Sequence, residues 1–193
     1  VVAKHLRKAG ATVKLSTVLG DDALKTFVLA EMEKDGIECI PIIDKTRPTT
    51  QKNAFIAGTY RLLKVDKLDN RAISEKIVQR LTKTISTSNS NVFVFSDFRH
   101  GIFSRGTIPA LIKALPPGKM KVADSQVASR WGNILDFKGF DLITPNEREA
   151  RFALGDQDSV IRPLAMDLYA KAECKNLILK LGVRGIITYR KNN

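Results

Sequence analysis

The chain has 193 residues, of which 44% are hydrophobic and 27% charged, and this composition is typical of a soluble globular protein with a real core. That length allows one full domain, or one domain with a small appendage. The net charge of +12 favours anionic partners, and no apolar run approaches the ~20 residues that a membrane span needs.

The positive charge alone leaves two classes of partner open. Nucleic acid is one, but no zinc-finger, RNP-type or basic-helix pattern is visible, and the charges are spread along the chain. A phosphorylated small molecule fits the charge equally well, and without such a motif we expect no nucleic-acid partner. Cys39 and Cys174 lie far apart and form no CxxC pair. They are typical of reduced packing residues in a cytoplasmic protein.

The first part of the chain predicts a helix, a strand and a second helix. Val2, Leu6 and Ala9 have helical spacing, and Gly10 is the expected stop. Residues 11–20 predict a strand. Residues 21–36 predict an amphipathic helix that Gly36 ends, with one apolar face made of Leu24, Phe27, Val28 and Met32.

Residues 37–66 have a different pattern, without helical periodicity. They predict three or four short strands joined by turns at "DKTRP" and "AGT". The segment is rich in basic and hydroxyl side chains that could cover an anionic substrate or lie on the outer faces of strands: Arg47, Thr49, Thr50, Lys52, Tyr60, Arg61 and Lys64.

Helices and strands alternate from residue 73 onward. We predict helices at 73–85, 104–115, 146–155 and 162–174, and strands at 91–98, 119–125, 140–145, 176–182 and 185–190. Nearly continuous apolar strands between helices indicate a buried, mostly parallel sheet with helices on both faces. Ligands bind such sheets beyond the carboxyl ends of the strands. "SDFRHG", "TPNERE" and "KLGVRG" all follow strands.

The stretch "LITPNEREA" has the pattern of a helix start. We predict Thr144 as the N-cap, Pro145 as the first helical residue and Glu147 as the capping-box partner of Thr144. This cap leaves Asn146 and Glu149 unexplained. They lie three residues apart, on one helix face near the positive end. An amide and a carboxylate there could hold a hydrated cation beside phosphates, or could form a solvated first turn.

The other two strand ends allow two interpretations each. Gly182 and Gly185 in "LGVRG" would let backbone amides approach a nucleotide, or would form a simple turn. Asp97 in "SDFRHG" could accept a substrate hydroxyl or cap the turn that follows. The chain has no GxGxxG fingerprint and no Walker-type loop, which argues against Rossmann redox and P-loop ATPase chemistry.

Together and in this order, these segments resemble the PfkB (ribokinase-like) family of carbohydrate kinases over nearly the whole chain. "TPNERE" is similar to the family's Asn-x-x-Glu motif, on Asn146 and Glu149, and "KLGVRG" is similar to its Thr-x-Gly-x-x-Gly motif. "RPTTQKNAFIAGTYRLLKVD" with "SDFRHG" looks most like the heptose-7-phosphate kinase branch, from lipopolysaccharide precursor synthesis.

The resemblance implies a three-layer α/β fold with a mostly parallel central sheet and a small β lid. Residues 1–36 and 67–193 would form the nucleotide-binding core, and 37–66 the lid over the sugar. In relatives the lid often pairs with a second subunit, so we expect a homodimer; an exposed strand edge gives this a physical basis.

The implied reaction moves the γ-phosphoryl group of ATP to a hydroxyl of a sugar or sugar phosphate. Asn146 and Glu149 would hold Mg²⁺, and Lys180, Gly182 and Gly185 would border the nucleotide. Thr50, Lys52, Arg61 and Asp97 would contact the sugar. Lys180 stands where the motif usually has Thr, and the anion hole and catalytic base are expected beyond Asn193. We therefore expect weak nucleotide binding and little turnover from these 193 residues; the alternative is a non-catalytic relative used for binding or assembly.

Overall fold

A computed structural model describes residues 1–126 and 133–190. The chain divides into two compact units, residues 1–84 and residues 85–193. The last three residues of the predicted nucleotide-binding core, 191–193, lie outside the described part. Within the described part, none of the helices is both long and apolar enough to cross a membrane.

The first unit contains a parallel strand pair and an antiparallel hairpin. Strands β1 and β2 run parallel, with Lys14 opposite Glu38 and Leu19 opposite Ile43. Strands β3 and β4 pair antiparallel. In chain order the elements are α1 (Val2–Lys8), β1 (Lys14–Leu19), α2 (Ala23–Lys34), β2 (Glu38–Ile43), β3 (Gln51–Ala57), β4 (Tyr60–Lys67) and α3 (Glu75–Ser86), which contains the unit boundary.

The second unit is built on a five-stranded sheet in the order β5-β6-β7-β8-β9. The first four strands are parallel, and β9 is antiparallel to β8. Its elements are β5 (Val92–Asp97), α4 (Ile108–Lys113), β6 (Met120–Ser125), β7 (Leu142–Ile143), α5 (Glu147–Leu154), α6 (Ile161–Ala172), β8 (Asn176–Lys180) and β9 (Ile186–Arg190), with short 3₁₀ helices at Ile134–Phe137 and Gly182–Arg184. The predicted α/β class with a mostly parallel sheet is confirmed.

Aromatic packing forms much of the core of the second unit. Phe95, Phe103, Phe137 and Phe140 lie with ring centroids 5.4–6.1 Å apart, the separation at which tilted and edge-on aromatic pairs attract. The central strands add Ala123, Ile143 and Leu177, whose surfaces are fully buried. Burial on this scale explains why β6, β7 and β8 have no clear polar alternation in the sequence.

The predicted elements differ from the observed ones at several places. The helix predicted at 104–115 spans only Ile108–Lys113. The segment 37–66 contains three strands, as expected, but β2 pairs with β1, so only β3 and β4 form a hairpin. Phe27, predicted on the apolar face of α2, is 62% exposed, while Met32 is buried. The strand predicted at 140–145 is only Leu142–Ile143. The lid boundaries stay a prediction.

The turn after β1 packs tightly against the entry to the β3–β4 hairpin. Gly20 donates its N–H to Thr49 Oγ1 at 3.0 Å, and the Thr49 N–H donates to Asp22 Oδ2 at 2.8 Å. That bond lowers the pKa of Asp22, whose other oxygen caps α2 by accepting the Lys25 N–H. One aspartate therefore joins the start of α2 to the start of the hairpin.

Gly20→Ala tests this junction. An added Cβ would lie 2.5 Å from Thr49 N and 2.6 Å from Arg47 O, both backbone atoms that no side-chain rotation can move. We expect a loss of about 1–3 kcal/mol in the free energy of unfolding, measured by urea denaturation. Gly106→Ala is the control, because its Cβ would meet only the Ser104 hydroxyl at 3.8 Å. Equal midpoints for the two variants would contradict the prediction.

Candidate functional site

The two motifs singled out in the sequence meet at the carboxyl edge of the sheet. Asn146, three residues beyond β7, forms a parallel β-bridge with Lys180, the last residue of β8, and the Lys180 N–H donates to Pro145 O at 2.9 Å. The start of α5 therefore lies directly beside the end of β8. Strand pairing brings together residues that are more than thirty positions apart in the chain.

Helix α5 begins with a capping box, but not the predicted one. The Asn146 Oδ1 accepts the Glu149 N–H at 2.9 Å, and Glu149 Oε2 accepts the Asn146 N–H at 2.7 Å. The assignment of Thr144 as N-cap with Glu147 as its partner is therefore wrong. Asn146 and Glu149, which we expected to form either a cation site or a solvated first turn, therefore form the helix cap. The Glu149 side chain is buried there, with 6% exposure.

Thr144 and Glu147 have other partners. The Thr144 N–H donates to Ala123 O and its hydroxyl to Asp124 Oδ1, so Thr144 continues the edge of the sheet. Glu147 pairs with Arg151 one turn later and with Arg184 in the turn after β8. Arg151 and Arg184 both lower the pKa of Glu147, chiefly through the hydrogen bond from Arg151.

A charged cluster occupies the ends of three neighbouring strands. Lys180 Nζ lies 2.8 Å from Asp124 Oδ1 at the end of β6, and the same oxygen accepts the Thr144 hydroxyl at 2.9 Å. Both charged side chains are partly exposed, Lys180 at 43% and Asp124 at 31%. Asp124 was not among the residues predicted from the sequence.

Gly182 and Gly185 shape the turn that joins β8 to β9. Both have positive φ, 62° and 88°, which side-chain-bearing residues rarely adopt. The Leu181 N–H donates to Gly185 O at 2.8 Å and closes the turn. The glycines thus serve the turn, and their exposed backbone lies next to Lys180. Whether they also border a nucleotide stays a prediction.

The donors at this edge fit a magnesium ion bound mainly by water and phosphate. Among the described residues, no group of three or more His, Cys, Asp or Glu side chains could hold a metal. Mg²⁺ commonly takes only one or two protein carboxylates and keeps several waters. Glu149 and Asn146 supply oxygen donors of the right kind, although one Glu149 oxygen and the Asn146 oxygen already accept capping bonds.

Comparison with known proteins places the whole chain in one family. The sequence profile described as "pfkB family carbohydrate kinase" matches residues 2–193. The chain belongs to the pfkB family. The relationship proposed from the two motifs is therefore confirmed, and the strand-end cluster lies within the matched region.

Curated relatives of the chain include several called bifunctional protein HldE. The protein from Pelobacter propionicus is 28% identical over 168 residues, which cover 83% of this chain and 34% of that protein. The protein from Aliarcobacter butzleri is 27% identical over 200 residues, covering 99% of this chain and 41% of that protein. The chain thus spans about a third to two fifths of the length of these relatives.

Solved structures confirm the ribokinase-like fold. Phosphofructokinase-2 from Escherichia coli in complex with fructose-6-phosphate matches with a TM-score of 0.77 at 14% identity, over 100% of this chain and 64% of that one. Ribokinase from Giardia lamblia matches with a TM-score of 0.75 at 16% identity, over 98% of this chain and 64% of that one. At these identities the likeness concerns the fold alone.

Three of the predicted sugar-binding residues lie in the first unit of this pfkB-family chain. Thr50 precedes β3 and is exposed. Lys52 is opposite Asp66, and Arg61 is opposite Ile56 across a β-bulge. Since directly opposed residues share a face of a hairpin, the register puts Lys52, Arg61 and Lys64 on one face. Asp66 lies on the same face and pairs with Lys64 at 2.9 Å, so the face carries more positive than negative charge. Their contact with a sugar stays a prediction.

Asp97, the fourth predicted sugar-binding residue, is held inside the second unit. Its side chain is fully buried, and Oδ2 lies 2.8 Å from Arg99 Nε and accepts the Ser125 hydroxyl at 3.0 Å. Burial raises the pKa of Asp97, against the opposing charge of Arg99. Arg99 holds this position with φ at 59°, an unusual conformation for arginine. In this state Asp97 serves an internal ion pair, so its role toward a substrate stays a prediction.

Arg99→Met should destabilise the fold strongly, because it leaves a buried carboxylate without its counter-charge. We expect a loss of about 3–5 kcal/mol in the free energy of unfolding near pH 7.5, measured by urea denaturation. Lys138→Met is the control, because the Lys138–Glu173 pair is more than half exposed on both sides and such pairs contribute about 0–1 kcal/mol.

The Arg99→Met penalty should also depend on pH. Without Arg99 the folded-state pKa of Asp97 rises further above 3.8, its ordinary value. The folded variant then binds this proton more tightly than the unfolded chain does, so the penalty should shrink as pH falls from about 7.5 toward about 4.5. A penalty that is constant over this interval would contradict the prediction that Asp97 is ionised and uncompensated.

Proposed function

We propose that the protein is an ATP-dependent carbohydrate kinase that transfers the γ-phosphoryl group of ATP to a hydroxyl of a sugar or sugar phosphate. One observation carries the proposal: the residues of both motifs by which the sequence resembles this family adjoin at a single sheet edge, through the Asn146–Lys180 bridge. The membership of residues 2–193 in the family supports it.

The chain's own residues would bind and orient the nucleotide. The exposed Gly182–Gly185 turn offers backbone that a nucleotide can approach closely. Lys180 supplies positive charge for the phosphates, and the N–H groups in the first turn of α5 favour anions. Catalysis of phosphoryl transfer depends mainly on positioning and charge neutralisation, and these groups supply both.

Asn146 and Glu149 would hold Mg²⁺, mainly through its waters. The bound ion would neutralise negative charge on the phosphates. Because Asn146 and Glu149 also cap α5, their oxygens are already fixed in position by the helix backbone. A ligand held in place before binding loses less conformational entropy on binding.

The acceptor proposed for the first test is a heptose 7-phosphate, since the segment 47–66 together with 96–101 resembles the heptose-7-phosphate kinases. The hairpin face that carries Lys52 and Arg61 keeps an excess of positive charge beside Asp66, which supports a phosphorylated rather than a neutral sugar. Thr50 and Asp97 are the hydroxyl and carboxylate proposed for the sugar hydroxyls.

Glu149→Gln separates capping from cation binding. Glutamine still completes a capping box but lacks the charge that attracts Mg²⁺. We expect the thermal stability without ligand to change little, and the stabilisation by ATP with Mg²⁺, which reflects binding to the native state, to fall markedly. The stabilisation by ATP in the presence of EDTA measures the part of nucleotide binding that does not depend on Mg²⁺. Unchanged stabilisation by Mg²⁺-ATP would mean that Glu149 is a cap only.

A turnover assay on the full-length protein distinguishes the kinase from a non-catalytic relative that keeps the fold for binding or assembly. ADP release is measured with a panel of hexoses, heptoses and their phosphates. Sugar-dependent release supports the kinase, and nucleotide binding without any sugar-dependent release favours the non-catalytic alternative. Glu149→Gln serves as the matched variant, because it keeps the fold while weakening the Mg²⁺-ATP complex.

We further propose that the protein forms a homodimer through the β3–β4 hairpin. Its second face is apolar: Phe55 lies opposite Leu63, both 54% exposed, and Val65 is 45% exposed. A two-stranded hairpin is marginally stable alone, and exposed apolar patches mark interaction surfaces. A second copy of the hairpin would cover this face and pair with an open strand edge.

Leu63→Ser should therefore weaken the dimer. We expect the wild-type protein to be a dimer at about 10–100 µM by size-exclusion chromatography with light scattering, and Leu63→Ser to shift it toward monomer, since it removes about 1.5–3 kcal/mol of apolar burial per copy. Lys64→Ser, on the opposite face, is the control. A monomeric wild-type protein in this range would contradict the proposal.

A further inference from the structure

The strand-end cluster contains an ion pair that the family resemblance does not explain. Lys180 stands at the motif position usually held by Thr, and its ammonium group contacts Asp124. We propose that this pair is exchanged on ligand binding: Lys180 leaves Asp124 for a nucleotide phosphate, and Asp124 competes with that phosphate for Lys180. The inference rests on the proposed function, whose nucleotide site it completes.

Solvent exposure makes the exchange inexpensive. Lys180 is 43% exposed and Asp124 31%, and ion pairs with this much solvent contact contribute little net free energy. By contrast, Arg99 and Asp97 in the same unit are nearly fully buried, and separating them would leave a buried charge without a counter-charge. Only a weakly held pair can give up its partner to an incoming anion.

The remaining contacts keep both partners in place during the exchange. The Thr144 hydroxyl donates to the same Asp124 oxygen, so the carboxylate retains a hydrogen bond after Lys180 has left. The Lys180 backbone is fixed by its N–H bond to Pro145 O. Only the flexible four-carbon stem needs to move, and it starts beside the first turn of α5.

Two of the neighbouring cations are already paired with a carboxylate. Arg184 and Arg151 both contact Glu147 at the start of α5. Asp124 and Glu149 place two further carboxylates near this edge, and they would repel phosphates. The ammonium group of Lys180 therefore offsets the negative charge that the sheet edge itself presents to an anionic ligand.

The two partners should have opposite effects on affinity. Lys180→Met should weaken binding of Mg²⁺-ATP and of inorganic tripolyphosphate by about tenfold, because a charge-assisted contact is lost. Asp124→Asn should strengthen both by about threefold, since the competitor loses its charge but keeps an acceptor for Thr144. Lys180→Arg should restore most of the affinity. Binding is measured by isothermal titration calorimetry at fixed ionic strength.

Lys171→Met and Asp167→Asn are the matched controls. They make the same charge changes in an exposed pair on α6 and should leave affinity unchanged. A structural role for Lys180–Asp124 predicts that both single variants lose affinity together. That result, or equal loss in the α6 controls, would overturn the exchange. Weaker binding of Mg²⁺-ATP by Asp124→Asn would instead identify Asp124 as a cation ligand and overturn it too.

Comparing the binding of ATP with that of tripolyphosphate also distinguishes a failure of this inference from a failure of the proposed function. If ATP binds but Lys180→Met and Asp124→Asn change nothing, the exchange is wrong and the nucleotide site stands. If tripolyphosphate binds in a Lys180-dependent way but ATP does not bind more tightly than tripolyphosphate, the anion site stands and the kinase assignment loses its support. If the wild-type protein binds neither probe, both fail.

Discussion

The parallel pairing of β7 with β8 is the constraint on which the candidate site depends. It sets Leu142 opposite Asn176 and extends to the Asn146–Lys180 bridge. A shift of one residue would turn every side chain to the other face of the sheet, moving Lys180 away from Asp124 and burying a charge among apolar residues. The fully buried Ile143 and Leu177, which are opposite each other in this register, hold it in place.

At the start of α5, the same residues, Asn146 and Glu149, can cap the helix and bind a ligand. A helix leaves its first N–H groups without intrahelical partners, and Asn146 and Glu149 satisfy two of them. A capping box contributes on the order of 1 kcal/mol, so its oxygens are positioned without being strongly held. Carboxylate and amide oxygens accept more than one bond. Capping therefore does not use up the bonding capacity of these oxygens.

Periodicity alone was sufficient for most helices and strands of this chain, because each carries an apolar pattern of its own. The helix cap could not be decided locally. Both Thr144-x-x-Glu147 and Asn146-x-x-Glu149 fit a capping box, and the choice follows from tertiary contacts: Ala123 O and Asp124 hold Thr144 in the sheet. The pairing of β2 with β1, the burial of Asp97 and the exposure of Phe27 likewise depend on distant neighbours that no local pattern encodes.

The effect of Lys180, which replaces the threonine usual in the motif, also depends on distant neighbours. Along the sequence, a lysine in place of threonine suggests an altered nucleotide contact. In the fold, the added positive charge lies within 2.8 Å of a negative one that the motif does not mention, and Thr144 supplies a hydroxyl to the same carboxylate. Asp124, Thr144 and Lys180 are 20 and 36 residues apart in sequence, but they end adjacent strands and act as one electrostatic unit. A substitution in a motif has to be judged with the charges that the sheet brings to it, because those charges determine whether a ligand meets a cation or a neutral pair.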